Sequence, residues 1–176
     1  IFRFSQDTIN HENFFPDVYV KSIFDMPLED FKAKGIRVLI FDIDNTVAPF
    51  DVAEPDDKTA DFFEYLRQQG FSLCLLSNNN RKRVELFNRK LKALPVWKAG
   101  KPGIKKLNEV IQNFGADNKS AAMIGDQVFT DMYCAHRANV LAVYTEPICN
   151  RDQLITKVKR GAEKIVLNIY KTRNKK

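Results

Sequence analysis

Residues 38–51 read VLIFDIDNTVAPFD, four apolar residues that run straight into two carboxylates, Asp42 and Asp44, set two positions apart. A continuous apolar run of this length, bounded by polar residues, reads as a strand buried on both faces. The run RVLIF (37–41) has four counterparts downstream: FSLCLL (71–76), the short PVW (95–97), SAAMIG (120–125) and VLAVYT (140–145). Between them lie segments with helical spacing. PDDKTADFFEYLRQQG sets Phe62, Phe63 and Leu66 on one face and closes on Gly70, a residue suited to the position after a helix. RKRVELFNRKL repeats Val84, Phe87 and Leu91, and PGIKKLNEVIQNFG opens on Pro102 and repeats Ile104, Leu107, Ile111 and Phe114. Strands alternating with helices, the strands apolar throughout, predict an α/β three-layer sandwich with a central five-stranded parallel sheet. The first 35 residues fit the alternation poorly and read as an N-terminal extension packed on the core of a single domain spanning 1–176.

In such a sheet ligands bind beyond the carboxyl ends of the strands. Asp42 and Asp44 fall there, as do LLSNN after the second strand and GDQVFTD after the fourth. Nearby carboxylates repel unless a cation lies between them or one keeps its proton, and each alternative suggests a role. Beside Mg²⁺, Asp42 stays ionised and can attack phosphorus, while Asp44 holds the proton that a leaving group needs. Asp126 and Asp131 are natural further ligands for a cation that takes one or two carboxylates along with water and phosphate oxygens. Ser77 with the amides after it, and Lys101 ahead of a helix start, supply donors for phosphoryl oxygens.

These residues resemble a known pattern. FDIDNT is similar to the DxDxT signature of the haloacid dehalogenase superfamily of phosphatases, and Ser77, Lys101 and GDQVFTD follow in that superfamily's order. The resemblance implies a Rossmann-like sheet with its first and fourth strands adjacent, Asp42 as nucleophile and Asp44 as general acid/base. It also implies Mg²⁺ held by Asp42, the Asp44 carbonyl and Asp126, and phosphate bound by Ser77 and Lys101, a set that Thr46 and Asn78 extend. FFPDVYVKSIFDM, DIDNTV, AGKPG and GDQVFTD look like the YqeG-like branch, subfamily IIIA, which includes a mitochondrial phosphatidylglycerophosphate phosphatase.

Spacing bears on the substrate. Thirty residues separate Thr46 from Ser77 and 23 separate Ser77 from Lys101. Each interval is used up by a helix and its loops, which predicts a capless phosphatase with an open site. A phosphate on a large object, above all a phospholipid head group, suits such a site; a soluble ester or a phosphoprotein is the alternative. Charge is divided along the chain: residues 1–80 carry 7 basic and 14 acidic side chains, 81–150 carry 12 and 6, and 151–176 carry 9 and 2. In the last segment Ile155, Val158, Ala162, Ile165 and Ile169 form one helical stripe beside many lysines. That stripe either packs on the sheet or lies on an anionic membrane surface. The basic segments 81–106 and 151–176 also allow an RNA-binding scaffold, against which the intact set of Asp42, Asp44, Lys101 and Asp126 counts. The triplet RKR at 81–83 either draws in an anionic substrate or is a solvated helix face.

No apolar run approaches the roughly 18 residues that cross a bilayer. Cys74, Cys134 and Cys149 show neither paired spacing nor a zinc pattern, which predicts a reducing, cytoplasmic setting; the membrane alternative for the C-terminal stripe would put the chain at the inner face of the membrane. Because Ile1 rather than Met stands first, a targeting segment ahead of it stays open. Cys74 and Trp97 read as packing residues, and His11 and His136 lack metal-ligand spacing. The sequence leaves the oligomeric state open.

Overall fold

The run Val38–Phe41 is a strand with all four side chains buried. Its odd and even residues serve different layers. The computed structural model of the chain describes residues 11–149 and 154–173. In chain order the elements are β1 (Val18–Val20), α1 (Leu28–Ala33), β2 (Val38–Phe41), α2 (Asp57–Gln68), β3 (Ser72–Leu76), α3 (Arg81–Leu91) and β4 (Leu94–Val96). There follow α4 (Lys105–Asn113), β5 (Ala121–Gly125), a π-helical turn (Val128–Met132), α5 (Tyr133–Arg137), β6 (Leu141–Thr145) and α6 (Leu154–Arg173).

All strand pairs are parallel, in the order β1–β6–β5–β2–β3–β4. β2 lies between β3 and β5, with Phe41 opposite both Leu75 and Ile124. The first and fourth strands read from the sequence are therefore neighbours, as the resemblance implies. Leu39 and Phe41 join Phe31 of α1, Phe63 and Leu66 of α2, and Phe87 of α3 in one apolar layer. Val38 and Ile40 face the other way, with Leu107 and Ile111 of α4, Cys134 of α5 and Leu167 of α6. Cys74 is fully buried in this second layer, as expected of a packing residue. Every side chain of the central strands β2 and β5 thus goes into a dry interface, which is why their runs are apolar throughout.

Two expectations need correction, and one open alternative narrows. Among the described residues the sheet has six strands, because the segment read as a packed extension contributes β1, whose Val18 lies opposite Val143 of β6. The Asp17 amide donates to the Ala142 carbonyl (2.9 Å), and the Ala142 amide donates to Asp17 Oδ2 (2.8 Å), so the edge strand is anchored at its start. Pro102 does not open α4. The Gly103 amide closes a turn on the Gly100 carbonyl (2.7 Å), and the helix begins at Lys105. Among the described side chains of α6, Glu163 and Leu167 are buried, while Ile165 and Ile169 are 63% and 46% exposed. The described part of the predicted stripe therefore faces away from the sheet; the side chains of Ile155, Val158 and Ala162 lie outside the described residues.

Candidate active site

Asp42 and Asp44 leave β2 in extended backbone, where residues two positions apart point to the same side. A tight turn directly after them ends the extended run and keeps both at the strand end. The Ile43 carbonyl accepts from the amides of Thr46, Val47 and Ala48 (3.3, 3.0 and 3.2 Å), and Asn45 takes a φ of 65°, a left-handed conformation that Asn tolerates. Both aspartates then line a pocket of about 330 Å³ with Ser77, Asn78, Asn79 and Lys101, and with Gln127 and Thr130 from the loop after β5. The chain from β2 to β3 is a loop and α2, and the chain from β3 to β5 is built from α3, β4, α4 and their turns. These connections supply the rim of the pocket.

Asp42 and Lys101 belong at the same time to a buried charge cluster at the base of the pocket. Lys101 Nζ donates to Asp42 Oδ1 and to Asp131 Oδ1, each at 2.7 Å. Asp42, Asp126 and Asp131 each bring a carboxylate oxygen within 4.8 Å of the others. Burial above all pushes the Asp42 carboxyl up to about 8; Lys101 opposes the shift, and Asp131 and Asp126 reinforce it. Burial on its own would lower Lys101, but Asp131 and Asp42 outweigh it and hold the ammonium above its ordinary value. Both directions have one cause: three carboxylates around one ammonium leave surplus negative charge in a desolvated place, so the bare cluster retains a proton. A divalent cation that prefers oxygen ligands fits this donor set, because it supplies the missing positive charge.

The other predicted residues are placed unequally. Ser77 Oγ accepts from the Asn79 amide (3.1 Å), which curls the loop after β3 around the pocket. Asn78 grips the backbone of Lys101 from both sides: its Nδ2 donates to the Lys101 carbonyl (3.1 Å), and its Oδ1 accepts from the Lys101 amide (2.8 Å). Thr46 is placed differently from Ser77, Asn78 and Lys101. Its hydroxyl donates to Asp126 Oδ1 (3.1 Å), so it touches the acidic cluster and does not line the pocket. His136 sits on α5 with Nε2 2.6 Å from the Phe15 carbonyl, away from these residues.

Two neighbours of Asp44 were not foreseen. Asn79 Nδ2 donates to Asp44 Oδ2 (3.1 Å), and Arg83 places Nε and Nη2 at 3.2 and 2.9 Å from Asp44 Oδ1. The only signals in the sequence are the polar run Asn78–Asn80 and the basic triplet after it.

Gly125, the last residue of β5, explains the start of GDQVFTD. A Cβ there would overlap the Asp131 side chain. Gly125→Ala is expected to displace Asp131 from Lys101 and cost about 1–3 kcal/mol, as overpacking in a dense interior does. Thermal melts and phosphate release measured on the same preparation check this, and both should fall.

Residues 2–149 match the sequence model of the family described as mitochondrial PGP phosphatase. The chain belongs to that family. The "Probable phosphatase YqeG" of Bacillus subtilis is 31% identical over 158 residues, 90% of this chain and 92% of that protein. Phosphatidylglycerophosphate phosphatase 1, chloroplastic/mitochondrial, of Arabidopsis thaliana is 28% identical over 156 residues, and the match takes in 82% of this chain and 45% of that longer protein. In fold the chain is similar to the cobalt-bound deoxy-D-mannose-octulosonate 8-phosphate phosphatase of Haemophilus influenzae. That likeness has a TM-score of 0.54 at 12% identity and covers 79% of this chain and 91% of the other. This PGP phosphatase family member is a haloacid dehalogenase-type phosphatase of the YqeG-like branch, and so a phosphoric monoester hydrolase.

Proposed function

We propose that this phosphatase converts phosphatidylglycerophosphate to phosphatidylglycerol through an aspartyl-phosphate on Asp42, with Mg²⁺ as its cation. The observation that carries the chemistry is the convergence of Asp42, Asp44 and Lys101 on one pocket. The Asp42 carboxylate forms a bond to phosphorus as the bond from phosphorus to the ester oxygen breaks, and Asp44 delivers a proton to that oxygen. Water then attacks phosphorus, Asp44 takes up its proton, and inorganic phosphate leaves with Asp42 restored. Ser77 and the amides after it hold phosphoryl oxygens, and Lys101 neutralises charge on that side. Held by Asp42, Asp126, Asp131 and the Asp44 carbonyl, Mg²⁺ would shield the nucleophile from the incoming dianion and stabilise charge on the phosphoryl oxygens.

The lipid substrate draws support from the family description, from the name of the Arabidopsis relative and from the short connections around the pocket. A further support is the outer face of α6, where Ile165 and Ile169 are exposed beside Lys164, Lys171 and Arg173. Apolar residues flanked by cations suit a helix resting on anionic lipid. No helix among the described residues is long and apolar enough to cross a membrane. We read residues 1–176 as one phosphatase domain acting at the inner membrane face.

The test is phosphate release from phosphatidylglycerophosphate in mixed micelles, set beside sugar phosphates, nucleotides and phosphopeptides, with Mg²⁺ and with chelator. Selective, Mg²⁺-dependent turnover of the lipid is expected. Preference for a soluble ester would overturn the substrate, and full turnover in chelator would overturn the metal.

A further inference from the structure

We infer that Arg83 is a positioning residue for Asp44, fixing the direction from which that carboxylate meets the leaving oxygen. The inference rests on the acid/base role proposed for Asp44 above.

Asn80 caps α3 by accepting the Arg83 amide on its Oδ1 (3.0 Å), which places Arg83 in the first turn. Side chains in a helix lean toward its N-terminus. The start of α3 lies at the strand ends, so Arg83 leans toward the pocket while Arg81 and Lys82 stay exposed. Arg81 pairs instead with Glu85 (2.7 Å), one turn along its own helix.

The contact differs from a surface ion pair. The Arg83 and Asp44 side chains are only 13% and 23% exposed. Nε and Nη2 both converge on Oδ1, Nη1 donates to the Ala53 carbonyl (3.2 Å), and the guanidinium lies 5.0 Å from the centre of the Phe87 ring. A planar group with its donors spent in fixed directions holds its partner in one orientation, which a lysine cannot reproduce. With Asn79 on Oδ2, both oxygens of Asp44 are tethered, and the Ala53 bond ties the loop after β2 to the same guanidinium. Proton transfer needs the acid within hydrogen-bond reach of the leaving oxygen.

The test compares Arg83→Ala, Arg83→Gln, Arg83→Lys, Asp44→Asn and the Arg83→Ala/Asp44→Asn double variant on glycerol 3-phosphate and p-nitrophenyl phosphate. The value of kcat/KM reports events up to formation of the phosphoenzyme, and p-nitrophenolate departs without needing a proton. Arg83→Ala should lower kcat/KM for the alkyl ester by about 10–100-fold, the scale of a misplaced group, and for the aryl ester by less than about threefold. Arg83→Lys should fall between, and added guanidinium should restore part of the loss in Arg83→Ala. In the Asp44→Asn background, removing Arg83 should cost nothing more. Equal losses on both esters, or the same loss with and without Asp44, would overturn the inference. If Arg83→Ala does not fold, Arg83→Gln takes its place under the same criteria. Should Asp44→Asn itself spare the alkyl ester, the role of Asp44 falls, and that of Arg83 with it. A failure confined to Arg83 leaves Asp44 standing.

Discussion

Asp42→Asn is expected to reduce phosphate release by at least about 10⁴-fold, the scale seen when a nucleophile that works as part of a unit is removed. The same variant should melt at a higher temperature than the parent in metal-free buffer. The two effects share a cause. An amide of the same shape keeps an oxygen for Lys101 Nζ, now 2.7 Å from Asp42 Oδ1, but cannot displace an ester oxygen from phosphorus. It also removes one of three buried carboxylates that share a single ammonium. The pH dependence separates this from a general gain in stability. Burial raises Asp42 from 3.8 to about 8, so between those values the folded chain binds a proton that the unfolded chain has released. Stability from this group is complete below the unfolded value and is lost as pH rises through the folded one. The Asn variant lacks that slope. Its advantage in melting temperature should therefore widen from pH 5 to pH 8.5 without metal. A constant or shrinking difference in circular-dichroism melts, or retained turnover, would contradict the assignment.

What the sequence disclosed and what it hid divide along physical lines. β2 was legible because its two faces are both dry, so its whole run is apolar. The places of Asp42, Asp44 and Asp126 were legible because strand ends are marked by local punctuation, whereas Lys101 was read as preceding a helix start and the helix begins four residues later, at Lys105. β1 was not, since three residues, Val18–Val20, are too few to show a period, and their pairing partner is more than a hundred residues away. On α6 the helical period was plain but its phase was not. Glu163 lies on the buried face, where its Oε1 accepts the Phe129 amide (3.4 Å), so a polar residue occupies a position that periodicity gives to an apolar one. Arg83 was hidden for a third reason. In a triplet of like charges nothing local says which member turns inward, and its partner lies 39 residues earlier.

Lys101→Met is expected to have the largest effect on stability. The methionine fills similar volume but leaves Asp42 and Asp131 facing each other without a cation, their side chains 8% and 1% exposed. Breaking a buried pair in this way costs about 3–5 kcal/mol, because the charge left behind is neither solvated nor matched. In a chain of this size that loss lowers the melting temperature by about 10 °C. Turnover should fall as well, since the same ammonium faces the pocket. Two additions locate the damage. Mg²⁺ should recover more melting temperature in Lys101→Met than in the parent, because the variant's bare cluster carries one more uncompensated negative charge. Adding Asp42→Asn should also restore stability, leaving the double variant more stable than Lys101→Met alone, a non-additivity expected of groups in one charge network. If the double variant were as unstable as the sum of its parts, the cost would lie in lost packing around the lysine stem, and the charge account of this cluster would fail.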